Sequence, residues 1–219
     1  MSIANAVCCT AFSSIIYSLF EMELPAYLFG INKQRIVVAF PRQLQHDAEV
    51  VADFLLNRSF DLHLSLDHEA ILLGQKLIIP NRVYSGYPNE LMTGALSPVQ
   101  LAILNCLFLR HHDGFVRQRS LEQLMDVDYY FVAPFVALLL SEYVIEILFV
   151  VDRVINNNTM NNYLAFVAEN PVVWQKTESR MVSYWNEYYR RNRYKDIRDY
   201  VGRQIVNRLD KAKRQSEVS

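Results

Sequence analysis

The sequence predicts an α+β protein, predominantly helical, with a small sheet-containing N-terminal unit and a helical C-terminal domain. Three observations predict it. Short runs of β-branched or alternating apolar residues lie before residue 90. Beyond that point apolar residues recur mainly at three-to-four-residue steps, the period of a helix face. Five of the six glycines precede Phe115, which leaves the second half nearly free of the residue that most weakens helix interiors.

Residues 4–20 suit an apolar helix closed by Pro25 and Gly30. RIVVAF (35–40) reads as a short buried strand, and residues 43–57 as a helix whose apolar face carries Ala48, Val51, Phe54 and Leu55. FDLHLSL (60–66) alternates as a half-buried strand should. AILLGQKLIIP (70–80) reads as a hairpin turning at Gly74 and Gln75. The tract SGYPNELMTGALSP (85–98) holds two glycines and two prolines, and the change of organisation is placed there: residues 1–90 as the α+β unit, 91–219 as the helical domain.

Pro98 opens a helix running to about His112, with Gly114 as its C-cap. Ser120 and Gln123 resemble a capping box for the short helix SLEQLM. Pro134 begins PFVALLLSEYVIEILFVV, and helices over 171–192 and 194–213 complete the chain. The segment 144–151 also has strong β propensity. As a strand it would pair with 163–167 through NNNTMNN and give the outline of a winged helix. The helical reading is preferred, because Pro134 starts the helix well and Glu142 and Glu146 then share one face.

Composition narrows the function classes. Apolar residues make up 52% of the 219 and charged residues 21%, ordinary values for a folded domain. The three cysteines (Cys8, Cys9 and Cys106) form no C-x-x-C and no Cys/His ligand spacing, so neither a disulfide framework nor a metal site is expected. They read as small buried apolar residues in a reducing, cytoplasmic setting. The N-terminal segment SIANAVCCTAFSSIIYSLF lacks a basic flank and ends in acidic residues, so no membrane insertion is expected. Glycine-rich nucleotide loops, G-x-S-x-G and H-E-x-x-H are absent, and no cofactor is implied.

Two groups remain as candidates for chemistry. His111, His112 and Asp113 could supply acid–base or ligand groups, although adjacent histidines on a helix diverge by about 100°. The expectation is that Arg110 and both histidines complement the dipole of a last helical turn. Glu142 and Glu146 would share a face as acid–base or ion-binding pairs do in helical bundles. Buried carboxylates need cations, and Arg117, Arg119, Arg153, Arg180 and the two histidines are available.

Charge is segregated along the chain. Residues 180–214 hold eleven Lys or Arg against four Asp or Glu, a surplus of seven, while residues 1–179 hold eleven against eighteen, a deficit of seven. Within the basic end, Trp174, Met181, Trp185 and Tyr188 make one apolar stripe, and Ile197, Val201, Ile205 and Leu209 another. Tyr184, Tyr189 and Tyr200 fall toward the edges. Most charges there have an opposite charge one turn away, such as Lys195–Asp199 and Asp199–Arg203. Glu187 likewise lies one turn before Arg190 and Arg191, and only the junction RRNR (190–193) concentrates charge with no acidic residue between.

The function expected from sequence is therefore a non-enzymatic binding or adaptor protein. It would contact an acidic protein partner or nucleic-acid backbone through Arg190, Arg191, Arg193 and Lys195. The competing readings are an enzyme built on His111, His112, Asp113, Glu142 and Glu146, and a winged-helix DNA-binding protein.

Overall fold

The structure, a computed structural model, describes residues 26–57, 62–65, 67–88 and 90–216. Asn32–Ser219 form one compact unit, and the architecture is α+β and mostly helical. The helix expected over residues 4–20 lies outside the described residues.

The first described helix, α1, covers Ala26–Val37. It takes in the start of RIVVAF, which is therefore the end of a helix and a following turn, not a strand. Burial explains why β propensity lost here: Ile36, Val37, Ala39 and Phe40 are all in the core. Polar anchors hold the same turn. Arg35 donates to the carbonyls of Leu64 and Ser65 and pairs with Asp67, and Lys33 pairs with Asp53 at 2.7 Å. Helix α2, Gln45–Leu56, buries Ala48, Val51 and Leu55 as its periodicity predicts, with Ala52 buried in addition and Phe54 only half-buried.

Four short strands make two separate antiparallel pairs. β1 (His63–Leu64) pairs with β4 (Val83–Tyr84), and β2 (Asp67–Leu72) pairs with β3 (Gln75–Pro80). The hairpin turns at Leu73 and Gly74, one residue earlier than expected. Both have positive φ, 53° and 71°, the requirement of the tight turn that matches strand twist. Buried Asn170, ninety-nine residues away, clamps this hairpin: it accepts from the Ile71 N–H at 2.6 Å and donates to the Ile71 carbonyl at 2.7 Å.

Glu90–Thr93 form a short helix, α3, and Pro98–Phe108 form α4. The capping box lies at the start of α4, where Ser97 Oγ accepts from the Gln100 N–H and Gln100 Oε1 accepts from the Ser97 N–H. Ser120 opens nothing; it is buried inside α5, Gly114–Glu122. Gly114 is likewise not a C-cap but the first residue of α5, capped by Asp113, whose Oδ1 accepts from the Phe115 N–H at 2.8 Å.

The long helix expected from Pro134 is two. α6 spans Ala133–Leu139 and α7 spans Ile145–Val154, with a tight turn between them. α8 follows at Met160–Glu169 and α9 at Pro171–Tyr184. Both segments that a winged helix needs as strands are thus helices, α7 and α8. Trp185–Tyr189 continue α9 as a π turn, Ile197–Asp199 make a 3-10 turn, and α10 covers Val201–Ser216. The core is a single cluster drawing on α2, the β2–β3 hairpin, α4, α6, α7 and α10, and it runs across residue 90. At Gly202 a side chain would meet Met181 Cγ at 2.9 Å, so this glycine permits the close approach of α10 to α9.

Candidate functional site

The basic corner is shaped by the π turn after α9. The Arg190 N–H reaches back five residues to the Trp185 carbonyl at 2.9 Å, and the Tyr194 N–H to the Tyr189 carbonyl at 3.0 Å. A π turn needs one residue more than an α turn to come round. The inward position therefore passes from Tyr188 to Tyr189. Tyr188, expected in the apolar stripe, is 50% exposed, while Trp174, Met181 and Trp185 are buried as expected.

Tyr200, expected toward an edge, is fully buried, its ring stacked on Tyr189 at 5.5 Å and meeting Tyr194 edge-on at 5.7 Å. Burial pushes the hydroxyl pKa of both Tyr189 and Tyr200 up. The Tyr189 hydroxyl donates to the Tyr143 carbonyl, and Trp185 Nε1–H to the Tyr194 carbonyl at 2.8 Å. The first bond ties the corner to the turn before α7, and the second closes the corner on itself.

What remains outside is aromatic and basic. Tyr143, Tyr184 and Tyr188 form a triangle of rings with centroids 5.8–6.1 Å apart. Arg193 lies over Phe149 and Tyr194, and Arg190 over Trp185 at 5.6 Å. Arg190, Arg191 and Lys195 line one concavity of about 630 Å³ with Asn186 and Glu187. Arg191 and Lys195 make no ion pair among the described residues.

The expected Lys195–Asp199 and Asp199–Arg203 pairs do not form, and other pairs take their place. Arg203 pairs with Glu178 of α9 at 2.5 Å, Arg208 with Asp152 of α7 at 2.8 Å, and Arg198 with Asp196. The reason is local. Asp199 ends a 3-10 turn and α10 begins only at Val201, so Lys195, Asp199 and Arg203 do not lie on successive turns of one helix.

The second candidate group is arranged differently from the expectation. His111 is buried, and His112 and Asp113 are exposed. They occupy the connection between α4 and α5, laid against β4: the Val83 N–H donates to the Arg110 carbonyl and the His112 N–H to the Val83 carbonyl. His111 Nε2 donates to the Ser85 carbonyl at 2.9 Å, and its Nδ1 accepts from the Asp113 N–H at 3.1 Å. Both ring nitrogens are thereby used in structure. Burial holds the ring pKa below its ordinary value.

Glu142 and Glu146 do not share a helical face. Glu142 lies in the turn between α6 and α7, its N–H donating to the Leu139 carbonyl, and it is 3% exposed. Glu146 is in the first turn of α7 and faces solvent. Three guanidiniums surround Glu142. Arg82 is bidentate at 3.1 and 3.3 Å, Arg117 Nη2 is 3.5 Å from Oε2, and Arg110 Nη1 is 3.9 Å from Oε1.

Of the arginines expected near this carboxylate, Arg117 is there; Arg82 and Arg110 come from β-region and connection positions that periodicity does not relate to it. Arg110 also donates to the Asn81 carbonyl and Oδ1, and Arg117 to the carbonyls of His111 and His112. Burial lowers the pKa of both, that of Arg110 to about 10, against the opposing pull of Glu142. A carboxylate so enclosed is an ion-pair partner, not a base open to substrate.

No metal-binding group of three or more His, Cys, Asp or Glu side chains occurs among the described residues. No described helix is long and apolar enough to cross a membrane. Comparison with known proteins finds no matching family model, no matching curated relative and no matching solved structure.

Proposed function

We propose that this protein is a non-enzymatic binding protein that docks an acidic segment of a protein partner on the corner around residues 185–195. The supporting observation is the juxtaposition there of Arg190, Arg191, Arg193 and Lys195 with the exposed rings of Tyr143, Phe149 and Tyr188. Arginine and tyrosine are among the residues that contribute most at protein interfaces, and Arg191 and Lys195 present charge to solvent with no ion pair among the described residues. An acidic polypeptide suits the corner better than a phosphate backbone. Glu187 lines the same concavity and Glu146 lies near Tyr189, which breaks the continuous basic edge that nucleic acid requires. The same reading keeps the protein in the cytoplasm, where the buried thiol of Cys106 remains reduced.

Fluorescence anisotropy with a labelled Glu/Asp-rich peptide and a labelled single-stranded oligonucleotide tests this. The peptide is expected to bind, more weakly as salt rises, and the triple variant R190Q/R191Q/R193Q to lose binding with its circular dichroism intact. Peptide binding unchanged in the variant, or binding of the oligonucleotide alone, overturns the reading.

A further inference from the structure

A second cationic site lies away from that corner and shares no residue with it. A cleft of about 470 Å³ opens between β2 and α9, bordered by the end of α6. His68, Ser141, Lys176, Thr177 and Arg180 line it, together with Asp67 and Glu69. Both carboxylates are already used: Asp67 pairs with Arg35 at 2.5 Å, and Glu69 with Lys76 at 2.6 Å. Lys176 and Arg180, exposed and four residues apart on α9, have no acidic partner among the described residues. Like charges at that spacing destabilise a helix unless something anionic lies between them.

The charge behind the cleft has the same sign. Asn81 Oδ1 accepts from His68 Nε2 at 2.7 Å and from Arg110 Nη2 at 3.1 Å, so the ring at the cleft wall is joined directly to the buried arginine cluster. Besides burial, the fields of Arg110, Arg180 and Arg82 all act on His68 and hold its pKa down. Among the described residues Glu142 is the carboxylate paired with Arg82, Arg110 and Arg117, and Arg110 Nη1 and Arg117 Nε are buried without a hydrogen-bond acceptor. Lys176 and Arg180 stand at the cleft without an acidic partner among the described residues, in front of three guanidiniums that share Glu142 as their contacting carboxylate. A surplus of several charges at a concave site favours a multiply charged anion over a single carboxylate. The cleft volume is within the range of about 300–1,000 Å³ typical of small-molecule sites.

We propose that this cleft binds a small phosphomonoester, with the phosphoryl group between Lys176 and Arg180 and the remainder of the ligand against Thr177 and the β2 wall. Lys176 and Arg180 supply charge-assisted donors, and the buried arginines supply a positive field that Glu142 neutralises only in part.

Isothermal titration calorimetry on the full chain with glycerol 3-phosphate, inorganic phosphate and glycerol is the test, with flotation on phosphatidic acid vesicles as a separate arm. Saturable one-to-one binding of glycerol 3-phosphate is expected, with inorganic phosphate weaker and glycerol silent. K176Q and R180Q are each expected to weaken binding about tenfold, as loss of one charge-assisted hydrogen bond does. Both residues are exposed, so circular dichroism and thermal melting should be unchanged. R190Q/R191Q/R193Q should bind glycerol 3-phosphate as the parent does. Unchanged affinity in K176Q/R180Q, or no binding of either phosphate, overturns the site. Binding to the vesicles alone overturns its assignment to a small molecule.

Discussion

Arginine is used in two opposite ways in this protein, around Glu142 and around residues 190–193. At Glu142 three guanidiniums are drawn to one carboxylate, two of them almost wholly out of water. At the corner Arg190 and Arg193 lie over aromatic rings, and all three arginines of residues 190–193 are exposed. The first arrangement is expensive to disturb, since removing one partner strands charge in a medium that solvates it poorly. The second is inexpensive to alter, because water replaces whatever is lost. The difference teaches that a count of arginines says little about where binding or stability resides. The environment of each guanidinium decides.

That contrast can be broken most directly at Glu142. Replacing it with alanine leaves Arg110 and Arg117 buried without a counter-charge and is expected to cost about 3–5 kcal/mol of stability, read as a fall in urea midpoint with unchanged slope. A loss no larger than that of an average surface substitution would show the cluster to be solvated after all. Arg82 is the more exposed member of the cluster. Arg82→Gln is therefore expected to cost about 1 kcal/mol, intermediate between the two environments.

Acidification tests the polar belt beside the cluster. His68 and His111 both have folded pKa values below the ordinary 6.5 because burial disfavours the charged ring. Between the folded and unfolded values the unfolded chain binds more protons, so stability rises with pH there. It is complete above pH 6.5 and declines as pH falls through the folded values. A melting temperature that drops from pH 7 toward pH 5, with a shallower drop in His111→Asn, is the expected result. The mechanism is specific: protonating His111 Nδ1 removes the acceptor of the Asp113 N–H.

The smallest effect belongs to the corner. Arg190→Gln, Arg191→Gln and Arg193→Gln are each expected to change stability by no more than about 0.5 kcal/mol, measured by the same urea titrations. A large destabilisation there would erase the distinction between the two arginine sets.

Much of the fold was legible because it is written in local periodicity. The α+β class, most of the α2 face and the inward residues Trp185, Val201, Ile205 and Leu209 follow from which positions recur at two or at three to four residues, and the start of α4 from Pro98; α7 is helical as expected, although Pro134 opens a different helix and Glu142 and Glu146 share no face. Where apolar residues are buried on every side, periodicity carries no orientation. For that reason RIVVAF looks like a strand yet ends a helix, and the continuous apolar run conceals the division of 133–154 into α6 and α7.

Of the sites, the outward charge of RRNR was visible in sequence, while its relation to Tyr143 and Phe149 required α7 to be folded beside it. The exchange of Tyr188 for Tyr189 depended on a π turn that no residue type announces. The partners of Glu142 stand furthest from local reading, for Arg82 is sixty residues away in sequence. Sequence by itself determined which residues are apolar, which are charged and how each element repeats. Tertiary structure alone decided which charges share a buried space, because the strength and sign of that interaction depend on distance and desolvation, which only the folded chain defines.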